Sequence, residues 1–294
     1  MLKRTITGAV YVLTVVGFFL LREYVDRRLF DILTAFFCAV GTFEVARAVK
    51  SYLYKGNFAL SVVYGCAFVP LYCVTEYFTG ISGALVCAAF AAIFASYQAV
   101  LAAVKEKNVD GANFIKTFRA FCVNVLPFLY PSLLLLSLLL ANDLPFNVGK
   151  VCLITIFVVS PASDTFAYLV GMSYNKIRKG KAKKMCPVLS PKKTWAGAIG
   201  GVIGGVIGGL IVYLIFGGEL TSEIIPLSVF FAIAGFIGSI LTEIGDLFES
   251  YIKRKVGIKD MGRIMPGHGG ITDRIDGMSF AAVFVYFMFL IFIG

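Results

Sequence analysis

The sequence predicts an all-α polytopic membrane protein with about nine transmembrane helices and two strongly basic loops. Three observations predict it. The 294 residues are 59% apolar and only 15% charged, whereas a soluble domain carries roughly 25% charged residues. The mean hydropathy is +0.87. The apolar residues come in runs such as ITGAVYVLTVVGFFLL (6–21) and YPSLLLLSLLLA (130–141, with an apolar lead-in), near or above the ~18–20 residues that cross a bilayer. Such runs continue to the last residue, which argues against a secreted protein behind a cleaved signal.

Taken in order, spans are expected near 6–21, 29–48, 58–76, 81–104 and 119–141. They form an N-terminal transmembrane region, 1–150, of about five spans. Four more, near 148–172, 195–217, 225–246 and 278–293, form a C-terminal region, 151–294, that the motifs below mark as catalytic. The fourth and sixth are long enough to tilt. The sixth contains Pro161, which frees a backbone carbonyl and predicts a bend around a polar cavity. The seventh reads GAIGGVIGGVIGGL, with Gly197, Gly201, Gly205 and Gly209 four apart and Gly200, Gly204 and Gly208 in a second row. Such rows let helix backbones approach closely. The longest polar gap is about 30 residues, too short for a soluble domain.

The net charge of +10 is unevenly placed. Loop 173–194 carries Lys176, Arg178, Lys179, Lys181, Lys183, Lys184, Lys192 and Lys193 with no acid. Loop 247–277 adds Lys253, Arg254, Lys255, Lys259, Arg263 and Arg274. Lysine and arginine stay on the cytoplasmic side. Both loops are therefore expected there, with Lys3 and Arg4 of a cytoplasmic N-terminus. Loop 217–224, with Glu219 and Glu223, then faces outward, as does the C-terminus. The segment LREYVDRRLF (21–30) opposes the rule, placing three arginines outside beside Glu23 and Asp26. The expected location is a cell inner membrane, with a site facing the cytoplasm. The basic excess suits anionic headgroups or a polyanionic substrate rather than nucleic acid. Seven cysteines without a C-x-x-C pair, and one histidine, argue against zinc.

Acids inside spans cost several kcal/mol unless paired, hydrated or coordinated, with insertion scales giving ~2.5–3.5 kcal/mol for Asp at the centre. Glu44 is expected to pair at the interface with Arg47 or Lys50. Asp164, after Pro161, is expected to line a polar cavity. Glu243 and Asp246 stand three apart on one helix face, and Asp273 and Asp276 repeat the spacing before the last span. Like charges that close need a cation between or beside them. Carboxylates without histidine or cysteine suit Mg²⁺, which takes one or two carboxylates plus substrate phosphates. A salt-bridged helix end neutralised by Arg274 is the plainer alternative. LSPKKTWAG (189–197) sets Ser190, Lys192, Lys193 and Thr194 at a helix start, where N–H groups attract anions. GHGG adds backbone N–H groups of His268, Gly269 and Gly270 of the kind that cradle phosphate.

The stretch SYIKRKVGIKDMGRIMPGHGGITDRIDG resembles the signature of the integral-membrane phosphatidate cytidylyltransferases, or CDP-diacylglycerol synthases. That signature reads S-x-x-K-R-x4-K-D, a spacer, then H-G-G-x-x-D-R-x-D. Here Ser250, Lys253, Arg254, Lys259, Asp260, His268, Gly269, Gly270, Asp273, Arg274 and Asp276 carry it. SDTFAYLVG, SPKKTWAG and GDLFES resemble further family blocks. Ala196 stands where the family usually has Glu, and Glu243 where Gln is expected. The detailed resemblance covers roughly 160–280; residues before 150 agree only in hydropathy.

The resemblance implies transfer of the cytidylyl group of CTP to phosphatidate, giving CDP-diacylglycerol and pyrophosphate in phospholipid biosynthesis, with Mg²⁺ as cofactor. A second, monovalent cation and a homodimer both stay open. The implied metal ligands are Asp246, Asp273 and Asp276. Lys192, Lys193, Lys253, Arg254 and Arg274 would bind triphosphate or lipid phosphate. Ser190, Thr194, His268, Gly269 and Gly270 would add hydrogen bonds, and Asp164 would line the cavity. Two rivals remain at this point: a CTP-dependent polyprenol or phytol kinase, and a membrane transporter. A transporter predicts mid-span acids and repeat symmetry, whereas these acids cluster toward one face.

Overall fold

The computed structural model describes residues 2–53, 57–107, 114–267 and 269–293. Among them, nine helical stretches are long and apolar enough to cross a membrane. Most lie within a few residues of the expected spans, but the eighth runs on to Lys255 and the ninth already begins at Thr272. The chain forms two compact units. One comprises Met1–Leu136 with Asp260–Asp273; the other comprises Ser137–Lys259 with Arg274–Gly294.

The first unit contains α1 (Leu2–Tyr24), α2 (Leu29–Ala48), α3 (Asn57–Val74), α4 (Gly83–Lys107) and α5 (Phe114–Phe128). Its centre is aromatic. Tyr64 stacks on Phe90 with ring centroids 4.4 Å apart and lies 4.5 Å from Phe94, while Phe68 meets Phe128 edge-on at 5.3 Å. Several buried polar groups between these helices pair with one another, where lipid offers no partner. Gln98 donates to Asn57 at 2.6 Å, and the Thr42 and Ser132 hydroxyls lie 2.6 Å apart. Tyr77 donates its hydroxyl to Asp31 at 2.7 Å. The outer helix α1 leaves large apolar side chains such as Leu13 exposed, as a lipid-facing helix does.

Between α5 and α6 (Leu134–Asp143) the chain kinks at Tyr130, whose backbone is extended (φ −122°, ψ 112°), within the apolar stretch Ile115–Asp143. The second unit holds α7 (Phe146–Ile177), α8 (Trp195–Phe216), α9 (Leu227–Lys255) and α10 (Thr272–Phe292) from Arg274 onward. The glycines of α8 meet both neighbours, and Gly197 and Gly201 pack on α7 as well. Cβ atoms at Gly200, Gly204 and Gly208 would strike Val170, Phe166 and Ala162 of α7. Cβ atoms at Gly205 and Gly209 would strike the Gly235 and Phe231 carbonyls of α9. α8 is thus wedged between two helices at backbone distance. Phe230 and Phe231 of α9 and Phe289 of α10 fill the core, with Phe230 and Phe289 centroids 4.9 Å apart.

Two expectations change. The first basic loop is not irregular: β1 (Lys184–Cys186) and β2 (Ser190–Thr194) pair antiparallel, Lys184 opposite Thr194 and Cys186 opposite Ser190. The chain is therefore almost, not wholly, helical. The second change concerns α9, which stays helical to Lys255, beyond the expected end of its span at 246, while Pro161 lies inside α7, helical from Phe146 to Ile177. The Thr165 hydroxyl bonds the Pro161 carbonyl at 2.7 Å within that helix.

Candidate functional site

In the second unit, Asp246 and Glu249 on α9 and Asp276 on α10 each offer a carboxylate oxygen within 4.8 Å of the others. Glycine makes this meeting possible. A Cβ at Gly245 would sit 2.6 Å from the Asp276 carbonyl, and one at Gly277 would sit 2.7 Å from the Thr242 carbonyl. Each glycine is the direct chain neighbour of a carboxylate in the group. The close backbone approach therefore lies where the acids must converge.

Positive charge surrounds the group. The Lys193 ammonium bridges Asp246 at 2.7 Å and Glu243 at 3.1 Å. Burial works against its charge, but Asp246 and Glu243 outweigh that and hold its pKa above the ordinary lysine value. Lys253 pairs with the buried Glu249 at 2.6 Å, one helical turn along α9. The Ser250 hydroxyl reaches Asp246 at 3.5 Å. Asp164 is exposed on α7, and its carboxylate interacts electrostatically with Asp276, Asp246, Glu243 and Lys193.

The β hairpin explains how the lysines divide. Along β2, Lys193 turns toward these acids while its neighbour Lys192 is exposed. Thr194 then ends the strand and caps α8, its hydroxyl oxygen accepting from the Gly197 N–H at 3.0 Å. Ser190 opens the strand and is half-buried. Arg254 ties α9 to the hairpin, donating to the Leu189 carbonyl at 3.3 Å. Arg274 is exposed on the first turn of α10.

The glycine loop belongs to the first unit. Gly269 adopts φ +89°, where L side chains are strained, and its carbonyl accepts from the Met265 N–H at 2.9 Å to close a tight turn. Gly270 is buried. Asp273 Oδ2 accepts from the Gly270 N–H at 2.7 Å and the Met261 N–H at 3.0 Å. Asp273 lies outside the three-carboxylate group. His268 lies outside the described residues.

Of the expected metal ligands, Asp246 and Asp276 thus come together with Glu249, which sequence reasoning did not single out. Its signal was present: it stands three residues after Asp246 and shares its helix face. Glu44 also differs from expectation. It is buried at 2% exposure and meets the backbone of residues 271–272, whereas Arg47 is exposed.

Three carboxylates offering oxygen alone fit a hard divalent cation, the donor set that Mg²⁺ prefers. Lysines at 2.7 Å from Asp246 and 2.6 Å from Glu249 bring further positive charge. Such a constellation can collect phosphate groups and stabilise negative charge on a departing one.

Comparison with known proteins agrees. The profile described as "Cytidylyltransferase family" matches residues 2–292. A phosphatidate cytidylyltransferase of Brucella abortus is 38% identical over 156 residues, 52% of each chain. One of Helicobacter pylori is 32% identical over 293 residues, covering 97% of this chain and 92% of the relative. One of Thermotoga maritima is 32% identical over 187 residues, 63% of this chain and 64% of the relative. The match to the Brucella protein thus spans about half of that relative's length.

Proposed function

We propose, on the premise that this chain belongs to the cytidylyltransferase family, that it converts CTP and phosphatidate to CDP-diacylglycerol and pyrophosphate. The observation that carries the reading is the meeting of Asp246, Glu249 and Asp276 beside Lys193 and Lys253.

A phosphate oxygen of phosphatidate attacks the α-phosphorus of CTP. A new P–O bond forms, the α–β bridging bond breaks, and pyrophosphate leaves with the electron pair. The attacking phosphate monoester is already largely dianionic at pH 7, its second pKa being about 6, so no strong base is needed. The obstacle is repulsion between two polyanions. Asp246, Glu249 and Asp276 would hold Mg²⁺, which when bound screens phosphate charge and aligns an in-line displacement. Lys193 and Lys253 already lie at this cluster. Lys192, Arg254 and Arg274 extend the positive surface for triphosphate or lipid phosphate. Ser190 supplies a hydrogen bond, whereas the Thr194 hydroxyl already caps α8 and the Gly270 N–H is already held by Asp273. Asp164 adds negative charge near Lys193 and keeps that ammonium in the site. Asp273 fixes the glycine loop through its two N–H contacts.

The excess of lysine and arginine in 173–194 and 247–277 supports a cytoplasmic site, where soluble CTP meets a membrane lipid. On this reading, region 151–294 carries the catalytic machinery. The test is an assay of the purified full-length protein with CTP, phosphatidate and titrated Mg²⁺. Release of pyrophosphate with a liponucleotide is expected, lost with EDTA and restored by Mg²⁺. Release of CDP instead would favour a kinase, and no turnover of CTP would refute the reading.

A further inference from the structure

Glu44 is an acid in a transmembrane helix that the reaction itself does not need. It lies on α2, is 2% exposed, and both carboxylate oxygens are engaged. Oε1 accepts from the Ile271 N–H at 3.2 Å. Oε2 accepts from the Thr272 N–H and the Thr272 hydroxyl, each at 2.9 Å. These N–H groups open α10, where helix N–H groups lack partners within the helix. The fit is tight from the loop side as well. A Cβ at Gly262 or at Gly270 would overlap the Glu44 carboxylate. One carboxylate, more than 200 residues away in sequence, therefore touches both ends of the loop that carries the glycine turn.

Asp273 grips the same loop from within, through Met261 and Gly270. With Glu44 they set where 261–271 ends and α10 begins. Asp276 follows Thr272 by four residues, about one helical turn.

We propose that Glu44 is a positioning residue, which fixes the 261–271 loop and the first turn of α10 through the Ile271 and Thr272 N–H groups. This rests on the reading of the carboxylate cluster as the reaction centre. Gln at position 44 keeps the shape but turns an NH₂ toward donors that need acceptors, so at least one N–H is orphaned.

The test pairs hydrogen–deuterium exchange of the full-length protein, without metal or substrate, with turnover of CTP and phosphatidate. In Glu44→Gln, exchange across 261–272 should rise at least 10-fold while that of 227–245 stays as in the wild type. Turnover should fall about 10- to 100-fold, the range for partners that orient a ligand, and the Mg²⁺ concentration for half-maximal rate should rise. Thr272→Val, which removes the hydroxyl donor and keeps the N–H, should give a smaller shift of the same kind. Should Glu44→Gln fail to fold, Thr272→Val decides. Exchange of 261–272 unchanged in the folded variant, or raised equally throughout the protein, overturns the proposal. A wild type inactive toward CTP and phosphatidate would instead overturn the reaction assignment, and the exchange comparison would still decide the role of Glu44.

Discussion

Two groups of acids in this chain are held in opposite ways. Glu44 and Asp273 accept hydrogen bonds from backbone N–H groups of Met261, Gly270, Ile271 and Thr272. Asp246, Glu249 and Asp276 crowd to within 4.8 Å, with lysine at their edge. The first arrangement satisfies a carboxylate by direction: each donor points at a lone pair, so the acid fixes backbone. The second leaves like charges facing one another, which is tolerable only with cations nearby. Asp273 and Asp276 share the opening of α10, yet fall on opposite sides of this division. Spacing alone does not tell a ligand from a brace; what surrounds the oxygens does.

Substitutions can break the comparison. Asp246→Asn and Asp276→Asn should each lower turnover on the order of 10³-fold, since each removes charge from the centre that stabilises the leaving pyrophosphate. Steady-state rates at saturating Mg²⁺, with folding checked by thermal melting, decide this. Glu249→Gln should cost on the order of 10²-fold and raise the Mg²⁺ requirement, because the two aspartates remain. Wild-type Mg²⁺ dependence in that variant would remove Glu249 from the centre. Asp273→Asn should cost less, about 10-fold, because an amide oxygen can still accept from Met261 and Gly270. A loss as large as that of Asp276→Asn would place Asp273 among the ligands after all and erase the division drawn above. The smallest effect on chemistry is expected from Gly209→Ala in α8. The added methyl meets the Phe231 carbonyl and should destabilise the protein by about 1–3 kcal/mol. Rate per folded molecule should be nearly unchanged.

Much of this was legible in the sequence, for identifiable reasons. Spans are readable because lipid forbids unpaired backbone, so each crossing writes about 20 apolar residues into the chain. The glycines of α8 announced close packing because four residues make nearly one helical turn. They could not say which glycines meet α7 and which meet α9. Asp246 and Asp276 stood out as acids at the ends of apolar runs. Glu249 did not, because Lys253 one turn later makes it read as a surface ion pair. The partners of Glu44 were illegible for another reason. Arg47 and Lys50 lie nearby in sequence, whereas Ile271 and Thr272 are brought to it only by tertiary packing and donate through backbone groups that leave no mark in residue type. The hairpin of 184–194 was hidden by lysines, which β strands seldom favour.

The account rests on one divalent-cation centre built from Asp246, Glu249 and Asp276. Its most direct test is Mn²⁺ binding, followed by electron paramagnetic resonance on the full-length protein in detergent, for wild type, Glu249→Gln and Asp276→Asn. The account predicts bound Mn²⁺ in the wild type, weakened by the first substitution and abolished by the second. Equal binding in all three proteins would contradict it.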